Sequence, residues 1–310
     1  MAAPESVTPL EHRAVEQAFW LSPASYWQPE HVVTSAWLTH APFAFWLIDV
    51  LRPSSITELG THLGFSCFVF AEAAQRLGLG TTIAACDSWE GDDHAGFYGD
   101  EVYDAVRAVV DQDYAGSVRM VRGYFEDLRP QFAEASVDLL HIDGRHGYDD
   151  VRADYTAWRS TVRGGGVILF HDIAEHQEGF GVWRLWDELR MEHPTFTFEH
   201  GHGLGVLGVG DVRDERLRAL FAADEETAER IRADYVRLGE VVARQGRLEA
   251  MPAEVASLHD TVANLSAEID RLAAAERALS DKLRAVHTST SWRVTRPLRA
   301  VGRLRRRRGH

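Results

Sequence analysis

Two short strings in the chain hold residues that move protons or bind metals: Asp143 with His146 in H-I-D-G-R-H-G-Y, and His171 with Asp172 in G-G-G-V-I-L-F-H-D. An imidazole exchanges a proton near neutral pH, and a carboxylate beside it fixes its orientation and basicity. Each pair follows an apolar, β-rich run, so each belongs at the carboxyl end of a strand, where open α/β sheets bind their ligands. A lone histidine there would as readily cap a strand or sit satisfied in the core. Four such groups on two neighbouring strands point to chemistry, with His146 and His171 as candidate catalytic residues. Two histidines and a carboxylate also match the ligand set of an iron oxygenase.

A second set lies nearer the N-terminus. Glu58-Leu59-Gly60-Thr61-His62-Leu63-Gly64 closes one β-rich run, and Asp87 ends the next. Gly60 lets backbone approach a ligand, Gly64 lets the next helix pack closely, and that helix N-terminus attracts a carboxylate or phosphate. A pyrophosphate turn would want glycine at position 62, so His62 and Glu58 suit a zwitterion better. Asp87 stands where a carboxylate can hold ribose hydroxyls, and the set as a whole points to a nucleoside. Trp89 could lie against the base or shield the core; Gly123, Tyr124 and Phe125, after the third run, could border it. From Asp87 to Tyr98 the chain is polar, aromatic and glycine-punctuated, which suits a loop over an acceptor. Asp92, His94 and Tyr98 could hydrogen-bond its hydroxyls while Trp89 or Phe97 stacks on a ring. His200 and His202 could border the same mouth.

Positioning these groups takes a sheet. Between Ser54 and Gly210 the pattern predicts strands at 55–59, 82–87, 117–122, 137–142 and 166–171, alternating with helices near 64–78, 99–114, 125–134, 147–162 and 180–192. Two further strands, 195–200 and 204–209, are separated only by a glycine-rich turn and form an antiparallel hairpin at the sheet edge. The fold class is α/β, a doubly wound, mostly parallel seven-stranded sheet over residues 54–212. Residues 10–51 read as helical, so 1–53 is expected to be an N-terminal helical cap.

Composition narrows the chemistry. Of 33 lysines and arginines only Lys282 is a lysine. A Walker phosphate loop, a pyridoxal Schiff base, a kinase lysine and a Tyr-x-x-x-Lys pair are therefore excluded before residue 282. Cys67 and Cys86 cannot make a disulfide framework or a four-thiolate zinc site, and a reducing cytoplasm is expected. Glu5, with no basic run before an apolar stretch, speaks against a secretory signal. The apolar stretch Val32 to Leu51 is interrupted by Thr34, Ser35, Thr39, His40, Pro42 and Asp49, which reads as buried helix rather than membrane span. Net charge is −14, yet Trp292 to His310 holds eight arginines and no acid. So acidic a body repels nucleic acid, and no nucleic-acid partner is expected.

Taken together, the E-L-G-T-H-L-G loop, Asp87, H-I-D-G-R-H-G-Y and G-G-G-V-I-L-F-H-D resemble class I S-adenosylmethionine-dependent methyltransferases, nearest to those that O-methylate sugars and natural products. The resemblance covers roughly residues 35 to 210 and implies S-adenosylmethionine as cofactor. It places Glu58 toward the methionine amine, Gly60 and Gly64 under the methionine moiety and Asp87 on the ribose, with Trp89, Gly123 and Asp143 in the same cofactor site. It also makes Asp143 and Asp172 ligands of a divalent metal, with His171 in place of the commoner acid. His171 either shifts that site toward manganese, iron or zinc, or acts as base without a metal. The implied acceptor is a carbohydrate or a glycosylated small molecule. A non-catalytic scaffold on the same fold and an iron oxygenase are the other readings.

After Asp211 the strand signals stop. Residues 213–250 read as connecting helices. Val255, Leu258, Val262, Leu265, Ile269, Leu272, Leu279, Leu283 and Val286 then repeat at three-four spacing, with Glu276 the one polar seam position. A coiled coil over 251–288, opened by Pro252, predicts a homo-oligomer; a helix folded back onto the body is the alternative. In the basic amphipathic tail, 289–310, Trp292, Val294, Leu298, Val301 and Leu304 alternate with arginines, which suits an anionic membrane surface. T-S-W-R-V-T-R-P-L-R within it resembles C-terminal segments of bacterial enzymes that assemble surface polysaccharides. The protein is accordingly expected in the cytoplasm, peripheral at the inner face of the membrane.

Overall fold

The structure is a computed structural model that describes residues 18–92, 96–297 and 299. Seven strands form the sheet: β1 (Ser55–Leu59), β2 (Thr82–Asp87), β5 (Val118–Arg122), β6 (Val137–Ile142), β7 (Val162–His171), β8 (Thr195–Phe198) and β9 (Leu204–Gly208). Their order is β5-β2-β1-β6-β7-β9-β8, parallel up to β7 and antiparallel through β9 and β8. A two-stranded hairpin, β3 (Gly91–Asp92) with β4 (Gly96–Phe97), lies between β2 and the next helix.

Strand residues alternate between two cores because side chains of a strand point to opposite faces. Leu139, Val167 and Leu169 face one cluster, while Leu140, Ile168 and Phe170 face the other. The first cluster takes in α1 (Ala41–Leu51) and α2 (Phe65–Arg76); the second takes in α5 (Tyr148–Trp158) and α6 (Val182–Leu189). Between them come α3 (Asp100–Val109), continued by a π-helical turn to Tyr114, and the short α4 (Phe125–Leu128).

Two elements differ from the expectation. Residues 18–40 are not helical: two 3-10 turns, Pro23–Tyr26 and Leu38–His40, interrupt irregular chain before α1. Pro23 and Pro29 lack the backbone donor a helix needs, and the segment is held by packing of Trp20 and Trp37 instead. Strand β7 starts four residues early, at Val162, because Gly165 adopts a φ of 89° and absorbs a register shift against Val137 and Leu139. Residues 1–17 of the expected cap lie outside the described residues.

The chain divides into two compact units, one ending at Glu249 and the other beginning at Ala250. In the first, α7 (Glu215–Phe221) is capped by Asp214, whose carboxylate accepts from the N–H groups of Arg216 and Leu217. The helix that follows, α8 (Glu225–Thr288), runs through Pro252 rather than starting there. Its first turns bury Ala228, Ile231 and Tyr235 in the first core. The second unit holds the rest of α8 and α9 (Thr290–Val294), which Ser289 caps through the Trp292 N–H. Of the expected basic tail, residues 298 and 300–310 lie outside the described residues. No helix among the described residues is long and apolar enough to cross a membrane.

The fully buried Tyr235 hydroxyl donates to the Trp20 carbonyl at 2.5 Å, tying α8 to the N-terminal segment. Tyr235→Phe leaves that buried carbonyl without its donor, and we expect a loss of about 1–2 kcal/mol of unfolding free energy by urea titration.

Candidate active site

Gly60 leaves β1 with a φ of 93°, and a Cβ there would stand 1.9 Å from the Asp143 carbonyl oxygen. Only glycine permits this approach, which brings the loop after β1 against the loop after β6. Asp87 then ties the first loop down. Its Oδ2 accepts from the N–H groups of Thr61 and His62, each at 2.8 Å, and its Oδ1 accepts from Trp89 N–H at 2.7 Å. A carboxylate has about four acceptor positions. Three are taken by backbone, which leaves one, on Oδ1, for a ligand. Gly64 caps α2 at a φ of 88°, where a Cβ would strike the Phe68 ring at 2.5 Å.

Two expected cofactor contacts are placed elsewhere. Glu58 is fully buried under the loop, its Oε1 accepting from Ser66 Oγ at 2.6 Å and standing 3.1 Å from His141 Nδ1. It supports the loop from below, because its strand position opposite Ala85 and His141 lies inside the sheet. Trp89 is likewise fully buried. The left-handed turn at Trp89, φ 52°, folds the indole inward, where Nε1 donates to the His62 carbonyl at 3.1 Å.

From Glu58 a file of alternating carboxylates and imidazoles crosses the ends of β1, β6 and β7. His141 Nε2 lies 4.0 Å from Asp143 Oδ2, and His171 Nδ1 lies 3.3 Å from both Asp143 Oδ1 and Asp172 Oδ2. His146 Nε2 closes it, 2.9 Å from Asp172 Oδ2. His171 Nε2 faces the Gly201 carbonyl at 3.1 Å. A carbonyl only accepts, so this nitrogen carries a proton, and two carboxylates at Nδ1 hold the second. Burial works against the charge, but Asp143 and then the hydrogen bonds outweigh it and push the His171 pKa up to about 10. Burial likewise opposes ionisation of Asp143 and Asp172, yet their histidine partners hold both carboxyls below the ordinary range. His40, also fully buried, donates from Nε2 to the same Gly201 oxygen at 2.9 Å. Burial, and then the neighbouring His171 and His200, keep its pKa far below the usual value.

Among the described residues, the donor atoms that converge closely enough for a metal are those of Asp143, His146 and Asp172, all within 4.8 Å of one another. The expected set had His171 in place of His146. An imidazolium with Gly201 on one nitrogen and two carboxylates on the other has no lone pair to offer, so His171 is placed as their counter-ion.

Both sets of residues open into one cavity of about 1120 Å³. Gly60, Gly64, Asp87 and Gly123 line one part; Asp143, His146, His171 and Asp172 line another. Tyr98 lines it too, stacked on His62 with ring centroids 5.2 Å apart. His202 borders it, with Nδ1 2.6 Å from Glu175 Oε1, while His200 packs on His40 at 4.8 Å. Asp92 contributes backbone to β3, and His94 lies outside the described residues. Residues to which the sequence assigned no role also line the cavity: Phe180, stacked on His146 at 4.8 Å, and Asp154, raised to about 7 by burial and then by Asp150 and Glu126. No spacing pattern marks either one. His141 stood inside a quoted motif, and only its register opposite Glu58 reveals its part.

Residues 57–173 match a family described as a methyltransferase domain. That match spans the segment that builds the site, from within β1 to just past the end of β7. An uncharacterized protein, y4gI of Sinorhizobium fredii, is 46% identical over 186 residues, which cover 60% of this chain and 20% of that one. The chain therefore spans about a fifth of its relative's length. Among solved structures, the O-methyltransferase TomG from Streptomyces achromogenes, in complex with SAM, has a TM-score of 0.43 at 16% identity, covering 63% of this chain and 99% of its own. An O-methyltransferase from Bacillus cereus in complex with SAH has a TM-score of 0.43 at 17% identity, covering 58% and 84%.

His171→Leu leaves the buried Asp172 and the half-buried Asp143 facing each other without their cation, and we expect it to cost about 3 kcal/mol of stability by denaturant titration. The folded His171 pKa lies above its unfolded value, so its contribution is complete below about pH 6.5 and fades as pH rises through about 10. The variant should lack this alkaline limb. Asp154 acts in the same direction on the acid side: its proton is held to about pH 7 in the fold and only to about 4 in the unfolded chain, so its contribution to stability falls as pH rises between these values. Melting temperatures of Asp154→Asn should decline less than those of the wild type as pH rises across that window.

Proposed function

We propose that the protein transfers the methyl group of S-adenosylmethionine to a hydroxyl oxygen of a carbohydrate or glycosylated acceptor. The observation that carries this reading is the single cavity. About 1120 Å³ exceeds the usual volume for one small ligand and leaves room for donor and acceptor together. It joins a nucleoside-type loop to a cluster of acids and histidine.

The residues fit the cofactor by their own chemistry. The free Oδ1 position of Asp87 takes a ribose hydroxyl. The open N–H groups at the start of α2 take the methionine carboxylate. Bound there, S-adenosylmethionine supplies an electrophilic methyl on a sulfonium, and the cavity's main task is to hold the acceptor oxygen in line with it. An alcohol attacks well only as its proton leaves. The His146–Asp172 pair, with Nε2 2.9 Å from Oδ2, receives that proton, while His171 keeps both carboxylates ionised. Asp143, His146 and Asp172 also fit a divalent cation, which would supply Lewis acidity to the same hydroxyl.

Support for a sugar comes from the walls. Tyr98, Phe97 and Tyr124 offer ring faces, and Glu90, Asp150 and Asp154 offer acceptors and a protonated donor, the mixture that ring stacking and hydroxyl recognition require. The arginine-rich C-terminal segment would hold the enzyme at an anionic membrane surface, near lipid-linked glycans.

Titration calorimetry should show micromolar binding of S-adenosylmethionine to the wild-type chain, lost in Asp87→Ala. Transfer of labelled methyl to glycan acceptors should fall about 10²–10⁴-fold in His146→Ala, with donor binding intact. Chelator sensitivity of that transfer reports a metal. A well-folded chain that binds no S-adenosylmethionine would contradict the proposal and favour a scaffold role.

A further inference from the structure

We propose that the second unit pairs with a second copy of this chain as a parallel, in-register, two-stranded coiled coil in which the two Glu276 side chains meet. The proposal rests on the helix alone and stands apart from the methyl-transfer reading.

Helix α8 continues unbroken to Thr288, and its apolar stripe is bare: exposure of the seam residues runs from 46% at Val255 to 66% at Ile269. A line of large apolar side chains on one face calls for a partner. Their three-four spacing averages 3.5 residues, the period that winds helices into a left-handed supercoil. From Met251 to Val286 the seam is about 54 Å long at 1.5 Å per residue.

The occupant follows from which residues stand where. Val255, Val262 and Ile269, followed by Leu283, take the apolar a positions, and Leu258, Leu265, Leu272 and Leu279, followed by Val286, take d, so that three of four a residues are β-branched and four of five d residues are leucine. β-branched residues at a with leucine at d favour two parallel strands. The flanking positions permit self-pairing. In a parallel pair, g of one helix meets the following e of the other. The e residues are His259, Ser266, Ala273, Ser280 and His287, so Glu254, Glu268 and Lys282 at g meet no charge of their own sign near neutral pH. The outward charges are served within the chain, Arg271 by Glu268 and Arg284 by Asp281.

Glu276 is the exception at an a position. In register it faces its own copy, with Leu272, Ala275 and Leu279 around it and no cation on the seam. Such a residue weakens the pair and fixes strand number and register.

Light scattering and sedimentation of the full chain should give a dimer at micromolar concentration. Leu258→Cys, near one end of the seam, should cross-link through that thiol on oxidation, since Cys67 and Cys86 are buried. Glu276→Leu should lower the dissociation constant at least tenfold. The Leu265→Asp, Leu272→Asp double variant should be monomeric and bind S-adenosylmethionine as the wild type does. A monomeric wild type, a trimer or larger species, a dimer that Leu258→Cys fails to cross-link, or a Glu276→Leu variant that dimerises no better would overturn the proposal.

Discussion

A buried carboxylate must find a partner for its charge, and the site of this protein is organised by that requirement. Glu58, Asp143 and Asp172 lie side by side where β1, β6 and β7 end, Glu58 and Asp172 shielded almost fully from water. Left alone they would repel one another or take up protons. The chain meets the requirement by alternating them with His141, His171 and His146, so that carboxylates and imidazoles follow one another across three strands, with the His171 cation between Asp143 and Asp172. The turn between β8 and β9 closes the arrangement, because its Gly201 carbonyl accepts from Nε2 of both His171 and His40.

The same file joins the two halves of the cavity. Glu58 supports the loop whose Gly60 presses on the Asp143 carbonyl, and Asp143 shares His171 with Asp172. The loop after β1 and the acids at the ends of β6 and β7 are thereby held to one another by touching atoms.

Much of this was legible in the sequence, for a physical reason. Period-two apolar runs with glycine and aspartate at their ends set strands β1, β2 and β6 to the residue, and placed Asp87, Asp143, His171 and Asp172 at strand ends. What stayed hidden depends on contacts between distant segments. Glu58 and Trp89 read as ligand contacts because sequence shows a position in a loop but not the direction of a side chain; one points into the sheet and the other folds under a left-handed turn. The part of His171 is set by Gly201, thirty residues on. Residues 18–40 carry an apolar richness that resembles helix, yet prolines and packed indoles hold them as irregular chain. Pro252 looked like a helix start and is tolerated inside one.

The site depends on His171 being a cation near neutral pH that holds the two carboxylates ionised beside His146. Nitrogen-15 shifts of the histidine rings, followed by NMR from pH 5 to 9, test it directly. The structure predicts that both nitrogens of His171 stay protonated across that whole range. A His171 ring that loses a proton near pH 6.5, as a free histidine does, would contradict the account.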